Sequence, residues 1–112
     1  MGPSLSVVIP AFNEEESIET TLRGIHSYLS KNFDEFEMLV VDDGSEYRTL
    51  DRCLALADDW GGRLKPLVHG THRGYGAALR TGLFSARGDM VFYTDADQQY
   101  DISEMNLFVD HL

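Results

Sequence analysis

The stretch LSVVIPAFNEEESIETTLRGIHSYL, residues 5–29, decides the fold. It opens with a short β-rich apolar run, Leu5 to Ile9, and continues with Ile18, Leu22, Ile25 and Leu29 at the spacing of one helical face. Between them, Asn13 with Glu16 three residues on fits a capping pair at the helix start. A strand followed by a helix with one apolar face is the first part of a βα repeat, and the remaining chain keeps the alternation. Further strands are expected at Phe36 to Val41, Leu64 to Val68 and Met90 to Thr94. Helices are expected from Glu46 to Asp58, after the turn Asp43-Gly44-Ser45, from Gly74 to Ala86, and from Ser103 to the chain end. Pro66 lacks a ladder donor, which sends the third strand to a sheet edge. Ala78 and Gly82 give the third helix a surface that can approach a sheet closely. The fold class predicted is α/β: one domain over residues 1–112, an open and mostly parallel sheet with helices on both faces.

Composition narrows the function. With 112 residues, 43% of them apolar and 11% aromatic, the chain can bury a core. The formal net charge is −10 and no Lys or Arg follows Arg87, so the basic stripe that nucleic-acid binding needs is missing. A divalent cation would be welcome. The apolar runs fall far short of the ~20 residues of a membrane helix. Met1-Gly2-Pro3-Ser4-Leu5-Ser6 formally fits a myristoylation pattern, but Pro3 and the strand opening at Leu5 favour a plain start, and no secretory leader pattern precedes it. The expected location is cytoplasmic. The single Cys53 sits in a helical pattern with Leu50, Leu54 and Ala57, where a packed thiol is the expected role.

In open parallel sheets, ligands bind beyond the carboxyl ends of the strands, where strand order reverses. Those exits read Pro10-Ala11-Phe12-Asn13-Glu14, Asp42-Asp43-Gly44-Ser45, His69-Gly70-Thr71-His72-Arg73 and Asp95-Ala96-Asp97. Asp95 and Asp97 point to one side of an extended segment, and two carboxylates ~4 Å apart repel by roughly 4 kcal/mol at an effective dielectric near 20. A hard cation bound by carboxylates at ~2.1 Å would relieve that repulsion. On its own the pattern is equally that of a solvated acidic loop. Of Asp42 and Asp43, which point in opposite directions, one fits a turn role and the other can accept bonds from a nucleobase or ribose. The segment Arg73-Gly74-Tyr75-Gly76 opens a helix whose free N–H groups can receive an anion, with Arg73 adding charge; close packing accounts for its glycines equally well. It is neither a dinucleotide fingerprint nor a P-loop. His26, His69, His72 and His111 show no metal-ligand spacing, although His69 and His72 fall on the rim of the expected site. Ser17 and Ser45 sit in cap or turn settings, so no nucleophilic triad is indicated.

Taken together, Val7 to Glu15, Val40 to Ser45, Arg73 to Ala78, and Gly88-Asp89 leading to Asp95-Ala96-Asp97-Gln98-Gln99 resemble the family 2 glycosyltransferases. The nearest likeness is to the polyprenyl-phosphate branch, which includes dolichyl-phosphate mannose synthase. The resemblance implies a Rossmann-like GT-A half with strand order 3-2-1-4. By position, it implies a nucleotide site of Pro10, Ala11, Phe12, Glu14, Asp42, Asp43, Arg73, Asp95 and Ala96, with Asp42 addressing the base. It implies Mg²⁺ or Mn²⁺ on Asp95, Asp97 and Gln99. The implied reaction is inverting transfer from a UDP-sugar or GDP-mannose to a polyprenyl phosphate. Family members continue beyond the Asp-x-Asp segment, so the chain is expected to be the amino-terminal, donor-binding part, peripheral to a membrane face in the full-length protein. The acceptor-side catalytic residues are expected to fall outside this part, and none is assigned. Two rival classes remain: a nucleotide-sugar-binding module without turnover, and a receiver-like signalling domain. The receiver fits poorly, since its acid pair belongs after the first strand and no Lys follows Lys65. Leu107, Phe108 and Leu112 call for a partner surface and suggest a homo-oligomer.

Overall fold

The computed structural model describes residues 4–13, 17–44, 47–94 and 106–109, with backbone alone for 47–50, 52 and 106–109. Five strands form one sheet: β1 (Leu5–Ala11), β2 (Phe36–Asp43), β3 (Leu64–His69), β4 (Met90–Tyr93) and β5 (Asn106–Val109). Helices α1 (Ile18–Asn32), α2 (Tyr47–Asp59) and α3 (Tyr75–Ser85) connect the first four. The order is β3-β2-β1-β4-β5, parallel from β3 through β4 and antiparallel between β4 and β5. The expected parallel order and the edge position of the Pro66 strand are both present.

All seven residues of β1 and all eight of β2 are buried, as central parallel strands covered on both faces require. Alternate side chains divide between two cores. Leu5, Val7, Ile9, Met38 and Val40 meet Ile18, Leu22, Ile25 and Leu29 of α1 and Cys53 and Leu56 of α2. Val8, Leu39, Val41 and Val91 meet Ala78 of α3 on the opposite face. The four apolar residues of α1 are fully buried, each worth roughly 1.5–3 kcal/mol of transfer free energy. Gly82 lets α3 lie close on the sheet, because a Cβ there would collide with the Val8 side chain. His26 of α1 stacks on Trp60, with ring centroids 4.1 Å apart and 7° between planes, and ties α1 to the turn before β3.

The amino-terminal end of the sheet is closed by polar bonds. Glu37, 8% exposed, accepts from Ser6 Oγ, Lys65 Nζ and the Arg87 amide, while Ser6 Oγ accepts from the Gly88 amide. Burial alone would raise the Glu37 pKa, but these donors outweigh it and hold the carboxyl below its usual value.

Two expectations are corrected. The segment expected to be a fourth helix from Ser103 contains strand Asn106–Val109, whose residues pair with Tyr93 through Met90. The far edge of β4 would otherwise present unpaired N–H and C=O groups, and satisfying that ladder overrides a weak helical pattern. Asn13 does not cap α1: it adopts φ 51°, and Ser17 holds the N-cap position without a side-chain capping bond. Asparagine tolerates this left-handed geometry and ends the strand exit instead.

Candidate functional site

The chain path places a switch point between β1 and β4. β1, β2 and β3 are added in one direction with α1 and α2 on one face; the connection through α3, on the other face, then returns to the far side of β1. The carboxyl ends of these strands therefore open a crevice beside β1. Pro10 and Ala11 are buried in the strand end, whereas Phe12 is 38% exposed. Just past β4, the Thr94 amide donates to the Val8 carbonyl at 3.0 Å, and Thr94 is fully buried. The next residue in the chain is Asp95. Asp95, Ala96, Asp97, Gln99 and Glu14 lie outside the described residues.

Asp42 and Asp43 part company as their alternation predicts. Asp42 pairs in register with Ala11, is 3% exposed, and lies on the side of α1 and α2. Burial, then the nearby Asp42 charge, pushes the Cys53 thiol up to about 12, so Cys53 is packed and unreactive. Asp43 faces α3 and is 2% exposed. Its Oδ1 accepts from His69 Nδ1 at 2.7 Å and from the Arg73 amide at 3.0 Å; its Oδ2 accepts from the Gly74 amide at 2.8 Å, with His72 Nε2 at 3.3 Å. Burial on its own would raise the Asp43 pKa, yet the bonds from His69, Arg73 and Gly74 and the His72 ring hold it below the usual value.

This carboxylate anchors the segment from His69 to Gly74. Gly44 completes the anchor: with φ 79°, it leaves no room for a Cβ, which would come within 2.7 Å of the Thr71 carbonyl carbon and closer still to the His72 nitrogen. Arg73 is thus held by its own amide while its side chain is exposed. His72 lies against Phe12, centroids 3.9 Å apart and tilted by 33°, so the exits of β1 and β3 touch. Among the described residues, nothing stands within 4 Å of a Cβ built on Gly76, at the first turn of α3.

Of the predicted nucleotide residues, the structure gathers Pro10, Ala11, Phe12, Asp42, Asp43 and Arg73 along one edge of the sheet. Among the described residues, no three His, Cys, Asp or Glu side chains are grouped to hold a metal ion. Two participants were not singled out by sequence: Thr81, whose hydroxyl is 2.7 Å from His69 Nε2, and His69 as a buried partner rather than a rim residue. Register was the missing signal, because Asp43 and His69 are paired across β2 and β3. A cavity of about 180 Å³ lies at the opposite, amino-terminal end, between Ser4, Phe36, Glu37 and Arg87, away from these strand exits.

With this edge in place, comparison with known proteins becomes specific. The sequence profile of glycosyl transferase family 2 matches residues 6–112. The chain belongs to glycosyl transferase family 2. This family 2 chain is 35% identical over 99 residues to the dolichyl-phosphate beta-glucosyltransferase of Mus musculus, covering 83% of the chain and 31% of that protein. It is 34% identical over 106 residues to an undecaprenyl-phosphate 4-deoxy-4-formamido-L-arabinose transferase of Pseudomonas aeruginosa, covering 95% of the chain and 31% of that protein. The chain thus spans about a third of the length of these relatives. Among solved structures, the Pyrobaculum calidifontis mannosyltransferase PcManGT, in complex with GDP-Man and Mn²⁺, superposes with a TM-score of 0.77 at 32% identity, over 87% of this chain and 28% of that one. A glucosyl-3-phosphoglycerate synthase of Mycobacterium tuberculosis, in complex with Mn²⁺, UDP and glucosyl-3-phosphoglycerate, gives 0.65 at 31% identity, over 85% and 34%. The family 2 fold is accordingly GT-A-like.

Proposed function

We propose that this chain is the donor-binding part of a metal-dependent, inverting glycosyltransferase that moves a sugar from a nucleoside-diphosphate sugar to a polyprenyl phosphate. The observation that carries the reading is the convergence of the β1, β2 and β3 exits and the end of β4 at one switch point, in a chain of this family. Mn²⁺ and a nucleotide in two structural neighbours, and polyprenyl-phosphate substrates in the names of two sequence relatives, support the finer assignment.

In this reading Pro10, Ala11, Phe12 and Glu14 line the nucleoside pocket, and Asp42 addresses the base. Arg73, Ala96 and the first turn of α3 face the diphosphate, where the Arg73 guanidinium favours an anion; the Arg73 and Gly74 amides are themselves taken by Asp43. Asp43 acts through the segment it holds. Asp95, Asp97 and Gln99 would hold Mg²⁺ or Mn²⁺; their hard oxygen donors suit either ion, which when bound neutralises charge on the leaving diphosphate. A polyprenyl-phosphate acceptor is already anionic at neutral pH, so attack on the anomeric carbon requires no strong general base.

A thermal-shift panel of UDP- and GDP-sugars with Mn²⁺ and with EDTA tests this directly, because ligand binding raises the unfolding temperature. The expected result is a shift with one donor class in Mn²⁺, lost in EDTA and lost in Asp97→Asn with the unliganded midpoint unchanged. Equal shifts in Mn²⁺ and EDTA would remove the metal from the proposal. Binding without turnover when a polyprenyl phosphate is added would favour the binding-module reading for this chain.

A further inference from the structure

The buried line from Asp43 through His69 to Thr81 belongs to neither apolar core and makes none of the nucleotide contacts proposed above. We propose that His69 is a positioning residue, which acts through the Asp43 carboxylate to set the segment 70–74 and thereby the donor site. The inference rests on the donor-binding reading.

Asp43, with almost no exposure to water, would be driven toward its neutral form unless donors surround it. Two donors are the Arg73 and Gly74 amides; of the side-chain partners, His72 is half exposed and 3.3 Å away, whereas His69 is buried and at 2.7 Å. His69 is therefore the side chain that fixes the carboxylate plane. That plane fixes the two amides hanging from it, and with them Arg73 on the diphosphate side and His72 against Phe12 on the nucleoside side.

An ionised carboxylate only accepts, so Nδ1 carries the proton toward Asp43. In the neutral ring Nε2 then accepts from the Thr81 hydroxyl, which is carried by α3. Thr81 thus keeps the ring from turning over. The same line joins the end of β3 to the helix whose first turn opens onto the site. Partners that orient metal-ligating side chains cost about 10- to 100-fold in affinity when removed, and the lower end of that range sets the scale expected for a residue held in the same way.

His69→Asn and His69→Gln make a matched pair of neutral amides. The shorter amide nitrogen stands where Nδ1 was and still donates to Asp43, leaving Thr81 unpartnered. The longer one reaches toward Thr81 and leaves Asp43 short of a donor. Amide hydrogen exchange and the affinity for UDP and GDP in Mn²⁺ are measured on both, with Thr81→Val as control and thermal midpoints for all.

His69→Gln is expected to speed exchange at Arg73 and Gly74 selectively over the β1 and β2 amides and to weaken nucleotide binding by about tenfold. His69→Asn is expected to keep both near the unmutated values. Unchanged protection at Arg73 and Gly74 in His69→Gln overturns the proposal, as does equal loss of affinity in both amide variants. Should His69→Gln not fold, loss of affinity in His69→Asn with affinity retained in Thr81→Val also overturns it. If the unmutated chain binds neither nucleotide, the donor-binding reading fails by itself, and the exchange data still decide whether His69 sets the segment.

Discussion

At the scale of single residues, Asp43 is where charge and fold meet. A carboxylate with three hydrogen-bonding partners and a nearby imidazole has its folded-state pKa below the usual 3.8. The unfolded chain then takes up a proton first as pH falls, so the stabilisation is fully present above the unfolded pKa and disappears as pH drops through the folded one. Asp43→Asn is expected to cost about 2 kcal/mol at neutral pH, the scale of losing a hydrogen bond to a charged group. Urea unfolding at stepped pH should show that cost shrinking below about pH 3.8; a difference constant from pH 7 to pH 2 would contradict the ionised carboxylate. Sequence exposed the two adjacent acids and their opposite directions, and also the turn residue beside them. It could not expose which acid turned toward His69, because that depends on how β2 and β3 align, a relation between segments 26 residues apart.

At the scale of elements, α3 sits where it does because Gly82 has no side chain. In an unconstrained helix, Gly→Ala gains roughly 1 kcal/mol. Here the added methyl meets Val8, and overpacking of a filled core costs about 1–3 kcal/mol, so Gly82→Ala should be net destabilising. Adding Val8→Ala should recover part of the loss in a double-mutant cycle by thermal unfolding; strict additivity would mean that the two do not touch. The apolar face of α1 and the small face of α3 were both readable, since a 3.6-residue period survives whatever the neighbours are. The β5 segment was not readable. Its pairing follows from an open edge on β4, which local periodicity does not reveal. The start of α1 was misplaced for a related reason: Asn13 suits a cap and a left-handed strand exit alike, and the chain path selects the second.

For the whole molecule, a net charge of −10 means that the folded state repels itself. Raising salt from about 10 mM to about 150 mM shortens the screening length from roughly 30 Å to 8 Å, so the thermal midpoint should rise. The proposed Mn²⁺ site would add to that. Mn²⁺ should raise the midpoint beyond NaCl of the same ionic strength, and Asp97→Asn should cancel only the excess; equal effects of the two salts would leave screening as the whole explanation. Among the described residues no helix is long and apolar enough to cross a membrane.

The alternation along β2 turns the site into a question of parity. Phe36, Met38, Val40 and Asp42 belong to one face, and Leu39, Val41 and Asp43 to the other. Inserting one residue inside β2 would shift every later side chain across the sheet. Asp43 would then be delivered toward Cys53, and Asp42 would face the histidine. Composition would hardly change, yet the two carboxylates would exchange addresses. Loop insertions between Asn32 and Phe36 carry no such penalty, because they leave the count inside the strand intact. Engineering of this edge must therefore preserve odd and even within β2, a constraint of parity that the loop before it does not share.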